Sequence, residues 1–566
     1  MAEPAVEIPF FALWEASGHN NADAEAFRHW DEDDPAVVPE SCATCHVGTG
    51  FQDFVGADGS AAGVVDAAHA ADTTITCTTC HNEATLALDS VTMPSGVELT
   101  GLGAEARCMT CHQGRESMVS VDEAIAAAGV EDDTVSADLR FINIHYFAAA
   151  ATRYGNEAMG GYEYEGKTYD AFFTHIEGYE TCTECHNPHS LELKIEECAT
   201  CHVGVTSADD LKNVRMAGSL VDFDGDGDLA EGIYYEIEGV TATLYLAMQA
   251  YATEILGTSL VYDAASYPYF FADDEAFASW TPRLLKAAYN FQVANKDPGA
   301  FAHGGKYILQ LLSDSIEDLN SVLSTPVAVD AAHRIDHGHF AGSEEAFRHW
   351  DEDGAVPASC AKCHSAEGLP LFLAEGVTIS QAPANGFLCS TCHNDFGAWT
   401  RYEAGPVSFP SGATVDSGSP DGNLCMNCHQ GRESTVSVNA AIGAAGPNDV
   451  VEGLRFLNVH YFPAGATLFG GEVQGGFQFD GKTYVGRFAH VEGFDTCTEC
   501  HGAHTLTVKV EACAGCHGGE EPETFRMAAD DFDGDGDVAE GLYGEVDTLR
   551  ADLYAALQAY AEANGL

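Results

Sequence analysis

Cysteine and histidine recur in this chain at one fixed spacing: two cysteines separated by two residues, with a histidine directly after the second. In the first half the runs are Cys42, Cys45 and His46; Cys77, Cys80 and His81; Cys108, Cys111 and His112; Cys182, Cys185 and His186; Cys198, Cys201 and His202. In the second they are Cys360, Cys363 and His364; Cys389, Cys392 and His393; Cys425, Cys428 and His429; Cys497, Cys500 and His501; Cys513, Cys516 and His517. Together they use all twenty cysteines, so no thiol remains for a disulfide, a zinc cluster or a nucleophile. Zinc knuckles and redox Cys-x-x-Cys pairs do not demand a histidine after every second cysteine. Covalent haem attachment does. Two thiols at this spacing can each add to one vinyl group of a porphyrin, and the histidine then binds the iron from one face. The pattern predicts ten c-type haems, with these cysteines as thioether donors and these ten histidines as proximal ligands.

The segments that must position these groups are written twice. Ala26 to Asp33 recurs as Ala346 to Asp353, Cys111 to Ser117 as Cys428 to Ser434, Phe141 to Phe147 as Phe456 to Phe462, and Asp222 to Asp228 as Asp531 to Asp537. The order is kept, with offsets drifting only from 320 to 309. Each half carries five motifs. The organisation expected is a pentahaem module over 1–257, an unduplicated helical insert over 258–332 and a second pentahaem module over 333–566. Pro282 to Asn295 and Lys306 to Leu323 read as the helices of that insert, separated at Pro298-Gly299. The insert is expected to pack the two modules together. Tyr162 to Tyr169 and its copy Phe477 to Tyr484 read as hairpins. Leu244, Met248, Tyr251 and Ile255, repeated as Leu553, Leu557 and Tyr560, read as the core stripes of two closing helices. Otherwise the fold class expected is a multihaem cytochrome c, mostly irregular coil with short helices and small hairpins around a haem chain.

Duplication also nominates the distal ligands. Of the 24 histidines, fourteen lie outside the motifs. Five positions are retained in both halves: His19, His29, His145, His175 and His189 correspond to His339, His349, His460, His490 and His504. Ten retained histidines for ten irons predict uniform bis-histidine ligation. The remainder, His69, His303, His333 and His337, read as surface or propionate-contacting residues. The retained methionines, Met109/Met426 and Met216/Met527, find no vacancy. His189 and His504 follow their motif histidines by three residues, too close to wrap round their own haem, so each is assigned to a neighbouring one. Bis-histidine ligation implies comparatively low potentials and no open iron. It argues for electron conduction and against an enzyme; a reductase would need an open haem.

Asp222, Asp224, Asp226 and Asp228, with Glu231, place carboxylates at alternate positions around glycines, as do Asp531, Asp533, Asp535 and Asp537 with Glu540. Converging oxygens of this kind suit calcium, although the glutamates come too early for an EF-hand. Two calcium ions are expected.

With 88 acidic against 24 basic residues, the formal charge is −64. Nucleic acid and anionic membrane surfaces are poor partners for such a chain, and self-repulsion at this density favours a salty medium. The sequence has no apolar run of roughly eighteen residues, so no transmembrane segment is expected. Met1-Ala2-Glu3-Pro4 does not open a signal peptide. Because haem attachment of this kind takes place outside the cytoplasm, the numbering is expected to start at a mature or engineered terminus.

The set His29-Trp30-Asp31, Cys111-His112-Gln113-Gly114-Arg115 and Asp222 to Asp228 resembles the extracellular multihaem c-type cytochromes of metal-reducing and syntrophic microbes. The resemblance covers nearly the whole chain. It implies an extracellular or cell-surface protein, with the periplasm as the alternative, passing electrons to redox partner proteins, minerals or electrodes. Some members of that family polymerise, so a homopolymer, or nanowire, enters among the implied partners.

Overall fold

The computed structural model describes residues 8–216, 219–329, 332–336, 344–519, 521–526 and 528–565. The chain forms two compact units, Met1–Thr400 and Arg401–Leu566. Irregular chain joins many short helices and antiparallel ladders of two or three residues, such as Ser90–Thr92 on Glu98–Thr100 with Val91 opposite Leu99. No closed sheet forms among the described residues. None of their helices is long and apolar enough to cross a membrane.

The first unit owes its core to four helices: α1 (Ala149–Ala158), α2 (Ile233–Tyr251), α3 (Pro282–Lys296) and α4 (Gly305–Asn320). Thr281 caps α3 by accepting the Leu284 N–H at 3.2 Å, and Pro282 occupies the first turn, where its missing N–H costs nothing. Leu244, Met248 and Tyr251 of α2 are buried against Leu284, Leu285, Leu311 and Leu312, in one cluster that reaches back to Val91. The insert is therefore the centre of the first unit. Asn290 stitches it to the preceding chain: its carbonyl oxygen accepts the Tyr162 N–H at 2.7 Å and its amide donates to the Tyr162 carbonyl at 2.9 Å. α1 bends at Gly155 (φ 47°), where a Cβ would stand 2.2 Å from the Asp170 carbonyl oxygen.

Two expectations need correcting. The segments at Tyr162 and Phe477 turn without building a strand ladder. Their tyrosines replace the ladder, the Tyr169 hydroxyl accepting from the Tyr164 N–H and the Tyr484 hydroxyl from the Phe479 N–H, both at 2.9 Å. The second closing helix, α5 (Leu542–Asn564), has the predicted stripe but does not bury it: Leu553 is 62% exposed and Leu557 57%. A periodic stripe becomes core only where another element covers it. In the first unit the insert helices supply that cover.

Candidate haem-binding site

Nine of the ten motifs carry both cysteines within one short helix, which sets the two thiols on one face at i and i+3. Some of these helices are capped from inside the motif. Glu184, between Cys182 and Cys185, accepts the Thr181 N–H at 2.7 Å and completes a capping box with Thr181; Glu499 does the same at 2.8 Å with Thr496. Thr79 closes the equivalent box with Thr76.

The tenth motif departs from this arrangement. Its helix, Ile195–Cys198, stops at the first cysteine, so Cys201 is set by the turn that follows, with its N–H donating to the Cys198 carbonyl at 3.2 Å. Cys201 is exposed, and the Thr200 hydroxyl stands 3.7 Å from its sulfur. Cys516 is exposed as well, although it lies inside the helix Val510–His517, and Cys77 is exposed at the start of its own. Cys363, within Ala358–His364, and Cys392, the last residue of Cys389–Cys392, are half-buried. Spacing ranks all twenty cysteines alike as thioether donors; the structure adds that their exposure differs. One turn of backbone fixes the distance between two thiols but not what covers them.

The motif imidazoles are oriented by main-chain carbonyls. Nδ1 of His46 donates to Ala26 at 2.7 Å, of His112 to Phe147 at 3.1 Å, and of His186 to Leu191 at 3.3 Å. In the second half, His364 donates to Ala346 at 2.7 Å, His393 to Trp399 at 3.2 Å, His429 to Phe462 at 2.9 Å and His501 to Leu506 at 3.1 Å. A carbonyl can only accept, so the proton sits on Nδ1 and the Nε2 lone pair is left for a metal. Five of these acceptors, Phe147, Leu191, Trp399, Phe462 and Leu506, have φ between 50° and 67°. A non-glycine residue in that region is strained, and here the strain turns a carbonyl onto a ligand ring.

A second imidazole faces many of the motif rings. His46 meets His145 at a centroid distance of 5.8 Å, His81 meets His189 at 6.1 Å, His112 meets His19 at 6.4 Å and His202 meets His175 at 6.0 Å. In the second unit His490 meets His517 at 6.0 Å. Metal–imidazole bonds of about 2 Å on opposite sides of one ion, plus the offset from each nitrogen to its ring centre, put two such centroids about 6 Å apart. The rings thus fit an iron between them. Burial lowers the affinity of His19 and His145 for a proton, to about 4 in each case, and pushes His112, His175, His186 and His202 the same way. A ligand must be neutral, and burial favours that form.

Other predicted ligands are placed differently. His29 is 62% exposed, bonds Glu25 at 2.9 Å and lies 4.8 Å from Trp30. His349 repeats this with Glu345 at 3.1 Å and Trp350 at 4.9 Å. His460, like His145, has φ above 80°. His504 lies in the turn after the Cys497–Cys500 helix. His339 lies outside the described residues, as do His337 and Met527. Among the leftovers, His69 bonds the buried Asp53 at 3.0 Å, while Met109 and Met426 are core residues. His303, expected at the surface or on a propionate, has its ring 6.4 Å from that of His186.

Neighbouring motifs also touch. The Cys45 thiol lies beside that of Cys111, Cys108 beside Cys182 and, in the second unit, Cys425 beside Cys497. Glu105, on the helix that carries Cys108, accepts the Cys182 N–H at 2.9 Å and pairs with Arg153.

The chain is similar to polyhaem c-type cytochromes. C-type polyheme cytochrome OmcB of Geobacter sulfurreducens is 27% identical over 277 residues, covering 40% of this chain and 32% of the relative. C-type polyheme cytochrome OmcC of the same species is 26% identical over 402 residues, covering 56% of this chain and 47% of the relative. The chain thus spans about a third to a half of the length of these curated relatives. No family model and no solved structure matches it.

The acidic loops form a second kind of site. Ligating atoms of Asp222, Asp224 and Glu236 lie within 4.8 Å of one another, as do those of Asp224, Asp226 and Glu231. The copy gathers Asp531, Asp533 and Asp535, and Asp533 with Glu540 and Glu545. Glu236 and Glu545 were missed, although each lies fourteen residues past the first aspartate of its loop. Both are buried at the start of a closing helix, pair with Arg215 or Arg526, and accept loop N–H groups at 2.8–3.1 Å. Asp228 and Asp537 instead accept the N–H of Ala230 and Ala539 at 2.9 Å. Burial, then the surrounding carboxylates, pushes Asp224 up to about 6 and Glu231 to about 7. Buried oxygens of Glu231, Asp533 and Glu540 have no hydrogen-bond partner. Crowded, unsatisfied carboxylates fit a hard dication.

Proposed function

We propose that this chain is an electron-transfer protein carrying ten covalent, bis-histidine haems, five in each of two modules, with the helical insert between them in sequence. The observation that carries the reading is the recurrent facing of a motif imidazole by a second imidazole at 5.8–6.4 Å, beside a Cys-x-x-Cys pair. Each haem, when bound, supplies one-electron exchange at its iron, at a potential set by the axial ligands. The cysteines tether, the carbonyls under His46, His112 and His186 aim Nε2, and His145, His19, His189 and His175 close the opposite faces. Their copies are assigned the same work in the second half. Two imidazoles per iron shut out substrate, which favours conduction over catalysis. Neighbouring motifs at Cys45 and Cys111, and at Cys108 and Cys182, support a continuous row. Two calcium ions in the acidic loops brace the last turn of each module.

The resemblance to extracellular multihaem cytochromes supports work at or beyond the cell surface, with redox proteins or extracellular acceptors as partners and a homopolymer as one form of the row. The purified holoprotein should contain ten haems by pyridine haemochrome and mass. Its electron paramagnetic resonance should be wholly low-spin, and its reduced form should not bind carbon monoxide. Carbon monoxide binding by the native protein would refute the conduction reading and favour a reductase.

A further inference from the structure

We propose that His303, in the insert, is the second axial ligand of the haem tethered by Cys182 and Cys185 and held by His186. The inference rests on the haem-binding reading above, and it gives this iron a partner that the duplication does not nominate. With His46, His81, His112 and His202 each facing another imidazole, His186 is the remaining motif histidine of the first half. His303 faces it at 6.4 Å with a 40° interplanar angle, within the spread of the other pairs.

The surroundings of His303 are those of a ligand. Both carboxylate oxygens of Asp297 lie against its Nδ1, at 3.0 and 2.8 Å. Asp297 is itself buried, with its side chain 3% exposed, and also accepts the Gly299 N–H at 3.0 Å. A carboxylate on Nδ1 fixes the ring and leaves Nε2 for the metal, the arrangement by which second-shell carboxylates orient metal-bound histidines. The chain turns closely round the ring: a Cβ on Gly299 would stand 2.5 Å from His303 Cε1.

His29 has none of these features. Its exposure and its bond to Glu25 recur at His349, and the retained feature is the adjoining tryptophan. Trp30 packs 5.2 Å from the His46 ring and Trp350 5.5 Å from the His364 ring. The tryptophan that adjoins His29 thus gives its segment a retained role, backing a proximal ligand, that does not require His29 itself to bind an iron. His303 also gives its haem a distal ligand with a carboxylate partner. Such a partner strengthens electron donation to the iron and favours the ferric state, so this haem should titrate among the lowest in potential.

The test compares His303→Ala, His29→Ala and Asp297→Asn in the haem-loaded, full-length protein. In His303→Ala one haem of the ten should turn high-spin and bind carbon monoxide when reduced; in His29→Ala none should. Asp297→Asn should stay low-spin and shift one component of the redox titration upward. A haem opened by His29→Ala, or ten low-spin haems in His303→Ala, would overturn the assignment. Should His303→Ala not accumulate, His303→Met decides. One haem with a His/Met near-infrared signature supports the assignment, and an unchanged bis-histidine spectrum refutes it. A wild-type protein without haem would instead sink the underlying reading.

Discussion

The duplication supplies an internal control on stability. Leu244 in α2 and Leu553 in α5 are equivalent residues on equivalent helices, yet Leu244 is 0% exposed and Leu553 62%. Truncating a buried leucine loses its transfer free energy, about 1.5–3 kcal/mol, and leaves a cavity. The total for Leu→Ala is about 3–5 kcal/mol. Leu244 lies among Met248, Leu284 and Leu312, in a helical core too closely packed to collapse into the space. Leu553 retains only a fraction of that burial, so its truncation should cost about 0.5 kcal/mol. With a urea dependence of about 2–3 kcal/mol per molar, Leu244→Ala should lower the unfolding midpoint by about 1–2 M, and Leu553→Ala by about 0.2 M. Far-UV circular dichroism of the holoprotein across a urea series measures both, clear of the haem bands. Equal losses would refute the argument, because they would mean that α5 is as well covered as α2.

Two further outcomes follow from buried carboxylates. Calcium chelation should lower the melting temperature, since an ion held at a hundred times its dissociation constant contributes about 2.7 kcal/mol. Glu545→Gln, which weakens the anchor for the Phe532 and Asp533 N–H groups, should reduce that calcium response more than Asp537→Asn; equal effects in a calcium titration by scanning fluorimetry would count against the ligand set. The His69 hydrogen bond above all, with the Asp66 N–H and the Ser60 hydroxyl, holds Asp53 below the ordinary carboxylate range. A depressed folded value stabilises above the unfolded value of about 3.9, and that contribution disappears as pH falls through the folded value. Asp53→Asn should therefore flatten the acid limb of the stability curve, and an acid titration showing an unchanged limb would refute it.

Much of this site is legible in the chain because its determinants are local. Thiols at i and i+3 with an adjoining histidine need only one turn of helix, and Thr181 with Glu184 shows that the cap of that turn is written in the same few residues. The alternating aspartates at Asp222 and Asp531 are local in the same sense. Helix periodicity placed the insert helices to within a few residues, Pro282–Lys296 and Gly305–Asn320. Distal partners are another matter, because the imidazole that faces His186 comes from more than a hundred residues away. Comparing the two halves favoured His29 over His303, since retention records that a residue is needed but not what it touches. The same limit governs the closing helices. Their stripes carry one period, yet Leu244 is core and Leu553 is not, since periodicity aligns apolar side chains while burial requires a second surface. Sequence alone nominated the residues proposed to hold haem and calcium, through spacings that a single turn or loop enforces. Only the tertiary structure decided which imidazoles share a site and which apolar faces are covered, because both are contacts between segments far apart in the chain.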